Sequence, residues 1–311
     1  MKRIFTLLLA LLLLLCGCSV QGGAEDTFLT FADDLGREVT LEKQPQRVAC
    51  LLGSFADVWS LAGGSCIAAP DDAWEDFGLS MPEDAVVLGS AKNLSLELLL
   101  AAEPDFILAS PNTQIHLQWQ ETLEASGIPV AYFNVSDFDD YLRLLKVCTD
   151  ITGRPDLYEQ NGTAIQTQID EAVSFSQQKI AEAGEAPTVL YLRVAASGIR
   201  VKSSRDNVLG EMLASLGCVN IADSDTVLLE NLSIEHILLA DPDFIFLVQQ
   251  GDDTEGTQKV LDAFIAENPA WQSLTAVRKG RVFTLDKRRY SLKPNALWGE
   301  AYLDLAELIW E

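Results

Sequence analysis

The chain has 311 residues, 48% of them hydrophobic, which is length and apolar content for about two domains with separate cores. Its 46 acidic and 22 basic side chains leave a formal charge of -24. That balance excludes binding to nucleic acid by phosphate neutralisation and general attraction to anionic lipid, and says little about fold.

Lys2 and Arg3 precede an apolar run over residues 4–15, the basic and hydrophobic regions of an export signal, too short for a membrane span. The following Leu15-Cys16-Gly17-Cys18 resembles the bacterial lipoprotein signal, in which a small residue precedes the cysteine that is lipidated. Gly17 makes Cys18 the better candidate than Cys16, which follows bulky Leu15. Residues 1–17 then read as a signal peptide and 18–26 as a flexible tether of small polar residues. Cys50, Cys66, Cys148 and Cys218 match no zinc spacing. Export permits their oxidation and Cys50 and Cys66 fall on neighbouring predicted strands, but buried free thiols fit equally well.

Residues 33–47 predict a hairpin around Gly36, with Pro45 before a buried strand at 48–52. A helix at 54–62 ends at Gly63-Gly64 and a strand follows at 66–69. The loop over 70–82 is long and exposes Trp74 and Phe77, a feature more often functional than idle. A short strand at 86–88 leads into Asn93-Leu-Ser-Leu-Glu-Leu-Leu-Leu-Ala-Ala-Glu-Pro-Asp-Phe-Ile-Leu-Ala109, which returns as Asn231-Leu-Ser-Ile-Glu-His-Ile-Leu-Leu-Ala-Asp-Pro-Asp-Phe-Ile-Phe-Leu247. In each copy a serine, Ser95 or Ser233, is placed to cap a short helix that must stop at Pro104 or Pro242, and a buried parallel strand follows. A repeat found once, more than a hundred residues on, suits two similar lobes and not a solenoid.

Between the copies come a helix at 114–126, a strand at 130–133 and a helix at 137–152 closed by Gly153. Residues 155–183 contain no proline past the first position and keep apolar residues at helical spacing, predicting one helix of about 29 residues and roughly 43 Å. The alternation then restarts with a strand at 189–194, a hairpin around Ser197-Gly198 and a helix at 207–216. After the second repeat come helices at 259–267 and 271–277, a strand at 282–285, a basic loop at 287–290 and a C-terminal helix from Asn295. The expected fold is α/β: two Rossmann-like lobes with parallel sheets, 27–136 and 185–311, joined through 137–184 and its one long backbone helix.

The export signal with its cysteine, the opening Asp34-Leu-Gly-Arg-Glu-Val-Thr-Leu-Glu-Lys-Gln-Pro-Gln-Arg-Val48, the paired Pro-Asp-Phe-Ile segments and the long helix resemble the solute-binding proteins of ABC importers for iron-siderophore complexes and cobalamin. The resemblance implies a monomer anchored by lipid on the outer face of the cell membrane or in the periplasm. It implies an interlobe cleft for a metal chelate, a backbone helix that limits closure, and no catalytic residue or resident cofactor. It also implies that Glu97 and Glu235, at matching places in the repeats, dock on a permease dimer with its ATPase subunits. A carboxylate in the first turn of a helix is also favourable without any partner.

Ligands of doubly wound lobes sit beyond the carboxyl ends of the strands. In the C-terminal lobe that places Arg193, Arg205, Gln250, Arg288, Arg289 and Tyr290 as candidates, within a basic group that also includes Arg278, Lys279, Arg281, Lys287 and Lys293. The N-terminal lobe offers Ser54, Phe55, Trp74, Lys92 and Ser110. Converging cations suit anionic oxygens, favouring a ferric siderophore or a haem over neutral cobalamin. A bare divalent metal would need more than the two histidines present, His116 and His236, both of which read as packing or surface residues, and no bound metal site is expected. An enzyme and a purely structural lipoprotein are the alternatives from other classes, and the first is disfavoured because no nucleophile elbow, phosphate-binding glycine loop or metalloprotease helix appears.

Overall fold

The computed structural model describes residues 27–205, 207–251 and 253–311. The signal peptide, the tether and Cys18 lie outside the described residues.

An antiparallel hairpin of β1 (Leu29–Ala32) and β2 (Glu38–Leu41) opens the chain. Asp33 closes it, its carboxylate accepting from the amides of Leu35 and Arg37 and from the Arg37 guanidinium. The opening motif is thus a structural clasp, and the Asp34 amide donates to the Tyr132 carbonyl to fix it to the first sheet.

That sheet contains β3 (Val48–Cys50), β4 (Cys66–Ala69), β5 (Val86–Val87), β8 (Phe106–Ala109) and β9 (Val130–Tyr132), all parallel in the order β5-β4-β3-β8-β9. The short ladder of β6 (Gly89–Ser90) with β7 (Asn93–Leu94) stands outside it. The second sheet is built from β10 (Thr188–Ala195), β11 (Gly198–Lys202), β12 (Val219–Asn220), β13 (Phe244–Gln249) and β14 (Val282–Leu285). Its order is β11-β10-β13-β14 with β12 also on β10, and only β11 runs antiparallel.

The helices that frame the two sheets include α1 (Gly53–Leu61), α2 (Asp72–Glu75), α3 (Leu96–Ala101), α4 (Phe138–Thr152), α5 (Ala164–Ala183), α6 (Val208–Ser215), α7 (Ile234–Ala240) and α8 (Trp298–Trp310). A capping box between Asp137 and Asp140 starts α4, and Gly153, left-handed at φ 70°, ends it. Helical backbone then runs unbroken over 155–183, with a π-helical turn at Glu159–Thr163 before α5. The Gly162 backbone lies so close to Leu142 and Leu145 that a Cβ would crowd them, which draws the long helix onto α4.

The two repeats lie in different sheets and repeat the same local devices. Ser95 accepts from the Leu98 amide at the start of α3, and Ser233 from the His236 amide at the start of α7. The residue before each proline is left-handed, Glu103 at φ 49° and Asp241 at φ 41°. The next aspartate then fastens the neighbouring strand: Asp105 accepts from the Gln46 and Arg47 amides, Asp243 from the amide and hydroxyl of Thr188. Strand register repeats too, Val48 beside Phe106 and Val189 beside Phe244. Pro-Asp-Phe-Ile is therefore a device for seating one parallel strand on another.

Each sheet buries its outer face in a core of its own, around Leu99 and Ile107 in one lobe and Ile237 and Ile245 in the other. The inner faces share a third core that runs through α4, α5, α6 and α8 and includes the fully buried Trp298. One continuous apolar core across both lobes resists separation, since opening it would return buried apolar surface to water at about 25 cal/mol per Å².

Several local expectations are revised. The helix predicted over 114–126 breaks at Trp119 into Gln114–Gln118 and Gln120–Ala125. The loop over 70–82 contains the single turn α2, and the basic loop is itself a helical turn, Lys287–Tyr290, capped by Asp286. The helix expected at 259–267 begins at Thr254, where Asp253 caps it.

Candidate ligand-binding site

The carboxyl ends of the parallel strands in both sheets open toward the same side of the molecule, the side where residues 53–77 meet residues 287–295. Asp57 on α1 is the centre of that meeting. Its carboxylate accepts from the Arg288 guanidinium at 2.9 Å and from the Asn295 side-chain amide at 2.8 Å, and the same amide group of Asn295 donates to the Ser54 carbonyl at 2.9 Å. Burial pushes the Asp57 carboxyl up from its ordinary value, while Asn295 and Arg288 pull it down. Asn295 is fully buried in a left-handed conformation, φ 55°, that asparagine tolerates better than most residues. Arg288 also lies over the Phe77 ring at 4.2 Å, and Lys287 pairs with Asp76 at 2.8 Å.

Two of the expected basic ligand residues are thereby engaged elsewhere. Arg288 belongs to the lobe contact, and Arg289 turns to the last helix, pairing with Glu300 at 3.0 Å and with Asp304. Tyr290 is buried with its hydroxyl donating to the Ala301 carbonyl, so it is a core residue and not a ligand wall. Phe55 is likewise a core residue, 1% exposed on the inward face of α1. Trp74 packs, half-buried, against the shared core. Arg205 is displaced by topology: β11 runs back along β10, so its far end, and the exposed Arg205 beyond it, sit at the opposite end of the sheet from Arg193. Ser54 is buried and engaged through its carbonyl, and Ser110 is buried with its amide donating to His116 Nδ1. Burial pushes His116 down to about 4, leaving it a neutral packing residue.

Arg193, Lys92 and Gln250 remain at strand ends. Lys92 is exposed and lines a depression of about 530 Å³ with Leu52, Ala91, Asn112 and Gln114. Gln250 is exposed just past β13. Arg193 is half-buried on the inner face of β10, its Nε without a hydrogen-bond partner among the described residues, and its guanidinium donates a long hydrogen bond of 3.4 Å to the Tyr191 hydroxyl.

Beside Arg193 stand two cations that the strand-end argument did not single out. The hairpin register sets Arg200 directly opposite Arg193 on the same face of the sheet. Lys293 approaches from the segment after β14: burial pushes its ammonium down to about 8, with Asp140 opposing the push and Arg193 adding to it. Among the described residues neither Arg193 nor Arg200 has a carboxylate partner. Like charges opposite one another across a ladder are destabilising, and the arrangement asks for an anion. The observed loop is Ala196-Ser197, one residue earlier than the turn expected around Ser197-Gly198, and that shift sets Arg200 and not Lys202 opposite Arg193.

Glu97 and Glu235 occupy the second position of α3 and α7, both exposed. The backbone amide at its own position and the Ser233 hydroxyl hold the Glu235 carboxyl below the usual range, so it is ionised at neutral pH.

Two α/β lobes with parallel sheets, joined by a long helix and facing each other at their strand ends, define a solute-binding protein of the ABC-importer type. A family model described as periplasmic binding protein matches residues 48–289, and the chain belongs to that family. It is similar to the vitamin B12-binding protein of Pectobacterium atrosepticum, 27% identical over 219 residues that cover 69% of this chain and 75% of that protein. It is also similar to the Fe(3+)-citrate-binding protein YfmC of Bacillus subtilis, 24% identical over 301 residues, 91% of this chain and 89% of that one. Among solved structures, Staphylococcus aureus SirA complexed with staphyloferrin B shares the fold with a TM-score of 0.66 at 19% identity, covering 90% of this chain and 96% of that one. The family is extracytoplasmic and binds substrates for transport.

Proposed function

We propose that this protein captures an anionic metal chelate, in the first instance a ferric siderophore, between its lobes and hands it unchanged to a membrane permease driven by ATPase subunits. The observation that carries the reading is the group Arg193, Arg200 and Lys293 on a chain of charge -24: among the described residues neither arginine has a carboxylate partner, and Lys293 has the charge of Asp140 opposing its burial. Guanidinium groups at a partly buried site favour carboxylate and catecholate oxygens, and their attraction strengthens as water is displaced. The similarity to a protein named for Fe(3+)-citrate supports the same ligand class. Haem would meet the same cations through its carboxylates, whereas neutral cobalamin gains nothing from them. Among the described residues no three His, Cys, Asp or Glu side chains converge on a bare metal.

Titration of the mature protein by tryptophan fluorescence against ferric citrate, ferric catecholates, haem, cobalamin and divalent metals tests the reading. Saturable quenching by an anionic ferric complex is expected, with the complex recovered intact afterwards. Saturation by cobalamin or a bare metal alone would contradict it.

On the opposite side of the reading, Glu97 and Glu235 are the docking carboxylates, two rigid charges spaced to meet two symmetric permease halves. Charge pairs of this kind set orientation and encounter more than affinity. The Glu97→Ala, Glu235→Ala double variant is expected to lose at least about tenfold in cellular uptake with its chelate affinity unchanged. Uptake at the wild-type rate would remove both residues from the mechanism. Cys18 is the proposed site of the lipid anchor that keeps the protein near its permease.

A further inference from the structure

Three of the four cysteines beyond the signal region converge in the N-terminal lobe. Cys50 ends β3, Cys66 begins β4, and Cys148 reaches the same core from α4. Cys50 and Cys66 are buried, and their sulfurs are 3.2 Å apart. A shift in register between the strands makes this approach possible: Val48 pairs with Cys66 but Ala49 with Ala68, so β4 takes an extra residue and Cys66 turns to the face that Cys50 occupies. Neither thiol has another hydrogen-bond partner among the described residues.

We propose that Cys50 and Cys66 are joined by a disulfide bond in the exported protein. The bond, about 2.05 Å long, requires the sulfurs to close by roughly 1.1 Å, within reach of a side-chain rotation and a small strand adjustment. An extracytoplasmic location provides the redox setting in which such bonds persist. The oxidant is an external disulfide. One cysteine thiolate attacks it to form a mixed disulfide and expels a thiol. The second cysteine thiolate then attacks the mixed disulfide, forming the internal bond and expelling a second thiol. Two protein thiols are oxidised, one external disulfide is reduced to two thiols, and the two protons leave on them.

Folding decides when this happens. Burial raises the Cys50 thiol well above its ordinary value and raises Cys148 as well, so neither is a useful nucleophile once the lobe has closed. The bond must form while the segment is still open, and is then sealed from reductants. It closes a loop that contains α1, the helix whose Asp57 holds the two lobes together. Cys218, alone in the other lobe and pushed by burial to about 12, stays a free packing thiol.

The test uses the full chain expressed with its export signal, acid-quenched at harvest and alkylated in denaturant without reductant. Chymotrypsin cuts at Trp59, between the two cysteines, so a bond shows as two peptides that separate only on reduction. The expected result is Cys50 linked to Cys66, with Cys148 and Cys218 alkylated. Alkylated Cys50 and Cys66, or either linked to Cys148, overturns the assignment. As a second readout, reduction in denaturant followed by refolding is expected to lower the thermal midpoint of the wild type by about 5 °C or more. A Cys50→Ala, Cys66→Ala chain should not respond to the same treatment, and an equal response would also overturn it.

Discussion

Where the two lobes face each other, the N-terminal one presents carboxylates and the C-terminal one presents cations. Asp57, Asp72 and Asp76 stand on the first side, Arg193, Arg200, Lys287, Arg288 and Lys293 on the second. The crowding is felt within the first lobe, where burial, with help from Asp76 and Asp71, pushes Asp72 up to about 6. Lobes built on one repeat, with the same caps and the same strand register, have thus diverged in charge at the edge that the repeat does not control. Two of the cations are matched across the gap, Lys287 by Asp76 and Arg288 by Asp57, and three are left over. The matched pairs fix the distance between the lobes, and the unmatched cations define what the gap will accept.

Breaking the matched set should have the largest effect on stability. Asp57→Ala leaves Arg288 without its counter-charge and the Asn295 amide with the Ser54 carbonyl alone, in a largely buried place. It is expected to cost about 2 to 3 kcal/mol by chemical denaturation, somewhat less than a fully buried pair because both side chains retain some solvent. An unchanged denaturation midpoint would mean that the shared apolar core alone holds the lobes in place.

The unmatched set should show itself in pH dependence, with a smaller effect. Lys293 is held down to about 8 in the empty protein, and a bound anion favours its charged form. Binding therefore takes up a proton above pH 8, and the dissociation constant for ferric citrate should rise by up to about tenfold per pH unit there while staying flat between pH 6 and 7. Lys293→Met is expected to flatten the profile. A slope that survives the substitution assigns the titration to another group.

Much of this architecture is legible in the sequence, and the reason is local. Ser95 and Ser233, Pro104 and Pro242, and the apolar runs behind them act within a few residues of themselves, so pattern alone fixes their elements. Asp137 and Gly153 mark the ends of α4 in the same way. What escapes is whatever depends on a partner far along the chain. Arg288 and Arg289 are adjacent and chemically identical, yet one reaches Asp57 and the other Asp304, because successive residues of a helical turn point about 100° apart. Arg205 reads as a neighbour of Arg193 until the antiparallel return of β11 carries it to the other end of the sheet. Tyr290 and Phe55 satisfy the pattern of an aromatic wall as well as they satisfy a core, and only burial tells the two apart.

The most direct measurement is the affinity of ferric citrate for an Arg193→Ala, Lys293→Met variant, set against the wild type and against the Glu97→Ala, Glu235→Ala chain. Loss of about 100-fold or more, close to 3 kcal/mol, in the first variant only is the predicted result. Binding within twofold of wild type in that variant would show that the leftover cations of the C-terminal lobe do not receive the ligand.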